Sequence, residues 1–188
     1  PDLGSKVAAA VLKEVGIPAE AVDEVIMGCV LTAGLGQAPA RQVALLSGLP
    51  ITVQALTVNK VCSSGLKAVM LAAQSVQLGH SACVLAGGME SMSRAPYLLP
   101  ALRGGARLGH TTAEDSIVKD GLWDVYNDFH MGSAAELCAR EFKIARAAQD
   151  AFAVESYRRA NSAIKEGLFR QEIVPLTVKA GKSEITFD

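Results

Sequence analysis

The sequence predicts an α/β fold built on a mainly parallel sheet. Three observations carry this. Helical segments alternate with short β-branched runs over residues 1 to about 93, and glycines and prolines punctuate each change. Half of the 188 residues are hydrophobic, enough for a sizeable buried core.

The elements follow in order. Ser5 to Val15 reads as an amphipathic helix closed by Gly16, with Pro18 as a stop beyond it. Val25 to Val30 reads as a short buried strand. In "GQAPARQVALLSGLP", Pro39 stands in the first helical turn and Gly48 just past the last. "ITVQALTV" returns to strand. From Ser64 to Leu78 the helix is apolar around most of its circumference, leaving a stripe of Ser64, Lys67, Gln74 and Gln77; it is expected to lie buried between layers. After Gly79, "ACVLAGG" supplies another buried strand. "MESMSRAPYLLPALRGGARLGHTTAED" has no sustained period and exceeds most connections in length, which marks a functional loop. Two helices follow, Met131 to Phe142 and Ala147 to Glu166, the second closed by Gly167. "EIVPLTVKAGKSEITFD" reads as two strands around a turn at Gly181, with Pro175 placing the first toward an edge.

Composition narrows the partners. Eighteen basic against nineteen acidic side chains leave a net charge of −1, without the basic excess that favours nucleic acid or anionic membranes. No apolar stretch reaches the roughly 20 residues that span a bilayer. Cys29, Cys62, Cys83 and Cys138 form no C-x-x-C pair and have no His at ligand spacing, which argues against structural zinc. They read as the reduced thiols of a cytosolic or organellar matrix, with small molecules or proteins as partners.

"NKVCSSGLKAV" sets Cys62 where a β-branched run ends and a long helix begins. The thiolate is the reactive form of cysteine, and a helix N-terminus stabilises it through free N–H groups and the helix dipole. Small residues follow at Ser63, Ser64 and Gly65, so a substrate carbonyl can approach backbone donors, the Cys62 N–H among them. The residues alone leave a second reading, a thiol merely packed at a strand-to-helix junction.

"NKVCSSGLKAVMLAAQSVQLGHSACVLAGGMESMS" closely resembles the nucleophile region of thiolases, the acetyl-CoA acetyltransferase branch in particular. "GQAPARQVALLSGLP", "KDGLWDVYNDFHMGSAAELCAREF" and "ARAAQDAFAVESYRRANSAIKEGLFRQEIVPLTV" extend the likeness over essentially the whole chain. The resemblance implies a thiolase-like layered fold, with buried helices between mixed β-sheets. Residues 1–93 would form the N-terminal half without its first strand, and 94–188 part of an inserted α+β loop domain. It implies that Cys62 accepts an acetyl group from acetyl-CoA as a thioester, interconverting two acetyl-CoA with acetoacetyl-CoA and coenzyme A.

By the same resemblance, His130 and Met131 line the pocket for pantetheine and the short acyl group, and Leu122 contacts coenzyme A. Tyr157 matches a position near both coenzyme A and the cation in potassium-responsive members; its alternative is a helix tyrosine capping the core. "LRGGARLG", Leu102 to Gly109, resembles the loop that joins two dimers into a homotetramer. Glu90 is given no acid–base role and reads as a buried structural carboxylate, Met89 and Met92 as adaptable packing, and His80 and His110 as loop histidines.

The chain carries no Asn-Glu-Ala-Phe, Gly-His-Pro or Cys-x-Gly-Gly-Gly segment, where the family places further catalytic groups. It is therefore expected to be the N-terminal portion of a longer enzyme, inactive alone, with the apolar helix face that meets the second half exposed. Two other readings stand beside this one. A longer-chain 3-ketoacyl-CoA thiolase is separated by the chain-length dependence of turnover, and a truncated, non-catalytic acyl-CoA- or lipid-binding protein by intact mass.

Overall fold

The computed structural model describes residues 1–180 and 183–187. The chain forms two compact units, Pro1–Trp123 and Asp124–Asp188.

The first unit opens with α1 (Asp2–Val15), which ends where Gly16 turns left-handed and its N–H bonds the Leu12 carbonyl. Strand β1 (Glu24–Gly28) follows, then α2 (Pro39–Leu46), β2 (Gln54–Val58), α3 (Ser64–Gln77) and β3 (Val84–Gly88). The sheet is parallel throughout, in the order β2-β1-β3, so β1 is central. Parallel neighbours need crossovers, and α2 and α3 supply them.

Alternation along β1 sorts two cores. Val25 and Met27 face one side and pack with Ala40, Val43, Ala44, Leu49 and Val53 beneath α1 and α2. Ile26 faces the other side and meets Ala68 and Ala72 of α3, flanked by Val58, Val84 and Ala86. A slip of one residue would exchange the two faces, so the register is firmly specified.

Asp23 fastens the base of this sheet. Its carboxylate accepts the N–H groups of Ala82 (2.7 Å) and Cys83 (3.0 Å), its own N–H donates to Cys83 and its carbonyl accepts from Gln54. The backbone donors of Cys83 and Ala82 hold its carboxyl below the ordinary range.

At the opposite end of the sheet, the carboxyl ends of β1 and β3 meet the first turn of α3. A Cβ on Gly28 would lie 2.4 Å from the Ser64 carbonyl carbon and 2.5 Å from the Gly65 nitrogen, and one on Gly88 3.2 Å from the Gly65 Cα. Glycine is required here because backbone approaches backbone.

Two expectations need correction. Strand β1 stops at Gly28, two residues before Val30, because the carboxylate of Glu90 takes the N–H groups of Val30 and Leu31 and bends the chain out of the ladder. Helix α3 is not buried between layers within this chain; its outward apolar face is exposed, as the reading of the chain as an N-terminal portion expects. Only Ser64, Ala68 and Ala72 are buried, while Leu66 is 66% exposed and Val69 is 50% exposed. Its packing partners are the strands of the sheet, and among the described residues nothing comparable covers its outward face.

The loop after β3 is organised by turns at Met92–Arg94 and Pro100–Gly104 and by a ladder of β4 (Tyr97–Leu98) with β5 (Glu114–Asp115). A single π-helical turn, Ile117–Leu122, was not foreseen in the sequence. Buried Ser116 anchors it by donating to the Pro96 carbonyl at 2.6 Å, and Asp115 accepts the Ile117 N–H at 2.8 Å. Strand β6 (Trp123–Asp124) begins at the last residue of this unit.

In the second unit, Asp124 accepts from Tyr126 N–H and from the Asn127 side chain, closing the turn into β7 (Phe129–His130). Helices α4 (Met131–Glu141) and α5 (Arg146–Glu166) follow, and Gly167 ends α5 left-handed. On α5, Glu155 pairs with Arg158 and Arg159, whose guanidinium groups hold its carboxyl down to about 2. Strands β8 (Leu176–Ala180) and β9 (Ser183–Phe187) pair antiparallel, directly after Pro175. The expected turn at Gly181 lies outside the described residues.

Two outcomes follow from this architecture. Gly28→Ala should destabilise the protein by roughly 1–3 kcal/mol through overpacking, read as a lower midpoint in urea; an unchanged midpoint would disprove the close seating of α3. The folded pKa of Asp23 is depressed, so its contribution is present above the unfolded value of about 3.9 and lost as pH falls through the folded one. The stability difference between wild type and Asp23→Asn should therefore narrow below about pH 4, and a difference constant from pH 6 to 3 would refute this.

Candidate active site

A cleft of about 420 Å³ opens at the carboxyl ends of the strands in the first unit. This is where open α/β sheets place their ligands, because helix N-termini and loops converge there. Its floor is Gly28, Gly65 and Gly88, and apolar walls come from Val61, Met92, Ile117 and Leu122. Cys62 lies on its rim, exposed, two residues before α3. Leu122, flagged in the sequence for contact with coenzyme A, lines the same cleft because the π-helical turn carries it there.

The turn that presents Cys62 is tightly bonded. Val61 has φ 48°, a left-handed conformation that a β-branched residue rarely adopts, with a strain of order 1–3 kcal/mol. Asn59 Oδ1 accepts the Val61 N–H at 2.9 Å, and the Asn59 amide donates to the Val30 carbonyl at 3.5 Å. Ser64 is buried, its Oγ accepts the Lys60 N–H at 2.9 Å and donates to the Val61 carbonyl at 2.6 Å. The N–H groups of Ser63 and Ser64 bond the carbonyls of Lys60 and Val61, each at 3.1 Å. Sequence reasoning passed over Asn59 and the Ser64 hydroxyl. The Asn-x-Val spacing ahead of a helix is the signal that marks such an Asx turn.

A second thiol lines the cleft, with opposite character. Cys29 is 1% exposed and its Sγ donates to Glu90 Oε1 at 3.8 Å. Burial first, and then the neighbouring carboxylate, push the Cys29 thiol up to about 11. Glu90 itself is exposed rather than buried, yet its role is structural: its oxygens accept from Val30 at 2.9 Å and Leu31 at 3.1 Å. Met89 packs against the core under α1 and α2, whereas Met92 is half-exposed and faces the cleft.

His130, Met131 and Tyr157 belong to the second unit. His130 stands immediately before α4, and its Nδ1 accepts the Gly132 N–H at 2.9 Å. The imidazole thus caps the helix, which fixes the ring and leaves Nε2 as the proton-bearing atom of the neutral form. Met131 begins α4 and is partly exposed. Tyr157 is 73% exposed on α5 and does not cap the core. His80 and His110 are exposed. Among the described residues, no group of three or more His, Cys, Asp or Glu is placed to hold a metal ion, and no helix is long and apolar enough to cross a membrane.

Comparison with known proteins adds a third line of observation. The chain matches the family described as "Thiolase, N-terminal domain" over residues 1–188. It is 51% identical over 187 residues to a probable acetyl-CoA acetyltransferase of Escherichia coli, covering 100% of this chain and 48% of the relative. It is 55% identical over 180 residues to acetyl-CoA acetyltransferase 2 of Arabidopsis thaliana, covering 96% and 45%. Among solved structures, the Acat5 thiolase from Ascaris suum in complex with coenzyme A superposes with a TM-score of 0.89 at 43% identity, covering 93% of this chain and 45% of that one. The chain spans about half the length of the curated relatives it matches. With a parallel sheet seating a helix-head cysteine over an apolar cleft, and with the match running from the first residue to the last, this chain belongs to the thiolase family.

Proposed function

We propose that this chain is the nucleophile-bearing portion of an acetyl-CoA C-acetyltransferase, with Cys62 as the group that is acetylated. The carrying observation is the contrast between the two thiols of one cleft. Cys29 is buried, bonded to a carboxylate and held protonated, while Cys62 is exposed at the head of α3. Cys62 gives up its thiol proton, its thiolate attacks the thioester carbonyl of acetyl-CoA, the oxyanion collapses with cleavage of the carbon–sulfur bond to coenzyme A, and coenzyme A leaves as its thiol with the proton that Cys62 lost. The α-carbon of a second acetyl-CoA then loses a proton and attacks the enzyme thioester; the carbon–sulfur bond to Cys62 breaks, acetoacetyl-CoA forms, and Cys62 takes up that proton as its thiol. Thiolysis is the same sequence reversed.

The amides of Ser63 and Ser64 are engaged within the turn, so the oxyanion donor we assign in this chain is the N–H of Cys62. Leu122 with Met92 and Ile117 forms the apolar wall for the acyl group and pantetheine. His130 offers a fixed Nε2 donor for coenzyme A, with Met131 beside it in sequence. The base and proton-moving groups that condensation requires lie, in this reading, beyond these 188 residues, so the chain alone is inactive. Tyr157, exposed on α5, is assigned in this reading to the neighbourhood of coenzyme A and a potassium ion, and no step is derived through the cation. Assembly as a homodimer, and as a homotetramer through Leu102 to Gly109, is supported by the full exposure of Leu108 in that loop.

In the intact protein, brief incubation with acetyl-CoA should add one acetyl group, mapped to Cys62. Cys62→Ser should lower turnover by about a thousandfold or more. Acetylation elsewhere, or none, would overturn the assignment. At pH 8 only about one in a thousand Cys29 thiols is ionised, given a pKa of about 11. Iodoacetamide should accordingly label Cys62 well ahead of Cys29 in the folded protein; equal labelling counts against the contrast on which the proposal stands.

A further inference from the structure

We propose that Asn59 and Ser64 are positioning residues that aim Cys62 and its N–H by clamping Val61 in the left-handed conformation. The inference rests on the reading of Cys62 as the nucleophile. It begins from the backbone outlier itself: Val61, at φ 48°, directly precedes Cys62. A valine left to local preference relaxes to the extended region, which would swing both the thiol and the following amide.

The clamp acts on both sides of Val61. On the amino side, Asn59 Oδ1 accepts the Val61 N–H at 2.9 Å, and the same side chain reaches the carbonyl of Val30 beyond the end of β1. On the carboxyl side, the Val61 carbonyl receives the Ser64 hydroxyl at 2.6 Å and the Ser64 N–H at 3.1 Å. The Val61–Cys62 peptide is trans and planar, so its carbonyl oxygen and its N–H point in opposite directions. Pinning the oxygen onto Ser64 therefore directs the Cys62 N–H away from Ser64. Ser64 is held in turn by burial and by the backbone of Gly28 pressed against it. The two side chains thus transmit the position of β1 to the donor proposed for the oxyanion, without contacting substrate.

The test is a double-mutant cycle of Asn59→Ala and Val61→Gly in the intact protein, read by single-turnover acetylation of Cys62. Glycine takes a positive φ at no steric cost, so it should make the asparagine dispensable. Asn59→Ala alone should slow acetylation about tenfold or more, and by less than about threefold in the Val61→Gly background. Ser64→Ala should slow acetylation likewise, while alkylation by iodoacetamide, which needs no oxyanion donor, stays within about threefold for both alanine variants. Equal losses from Asn59→Ala in both backgrounds, or alkylation slowed as much as acetylation, would overturn the inference. If wild-type Cys62 accepts no acetyl group, the proposed function falls instead. The same cycle read by thermal unfolding then decides the clamp: a smaller loss from Asn59→Ala in the Val61→Gly background supports it, and additive losses refute it.

Discussion

The site depends on one steric constraint, the contact between backbone and backbone where β1, β3 and α3 converge. Hydrogen replaces a side chain at Gly28, Gly65 and Gly88, which lets the head of α3 sit directly on the ends of two strands. From that seating follow the depth of the cleft, the burial of Ser64 and the height at which Cys62 stands above the sheet. Helix, strands and candidate nucleophile are therefore placed as one body. Side-chain packing alone, which yields by tenths of an ångström, would fix them less firmly.

Around this contact the polar groups divide the labour. Asp23 ties the three strands together at the base, and Glu90 does the corresponding work at the top by catching the chain as it leaves β1. Each uses a carboxylate to satisfy backbone donors that the end of the sheet would leave bare. Glu90 has a second effect, since burial first, and then its charge, keep the Cys29 thiol protonated. One residue thus shapes the cleft wall and adds to the burial that keeps a rival sulfur from ionising.

What was legible in the sequence was whatever repeats. The helices and strands of the first unit came from periodicity and from glycine and proline punctuation, so α2 begins at Pro39 and α1 ends before Gly16 as read. The position of Cys62 just ahead of a long helix was legible for the same reason. What escaped depends on single contacts between distant or non-periodic residues. The early end of β1 is caused by Glu90, sixty positions away. The π-helical turn hangs on Ser116 and Pro96, and the capping role of His130 on one bond to Gly132, made by a residue that is not a usual helix cap. For α3, composition revealed an appetite for burial on two sides but not the source of the cover, because hydrophobicity carries no address.

The order of the sheet has a kinetic consequence. The turn from Asn59 to Ser64 closes within six residues and can form early, by local collapse. The cleft cannot, because β1 pairs with β3 across about sixty positions, with α2, β2 and α3 strung between them. Closing so long a loop is the slow, entropically opposed part of folding such a topology. A chain part-way to its native state would therefore display the Cys62 thiol before any pocket surrounds it. The pairing that completes the sheet is also the event that gives an exposed surface sulfur its cleft.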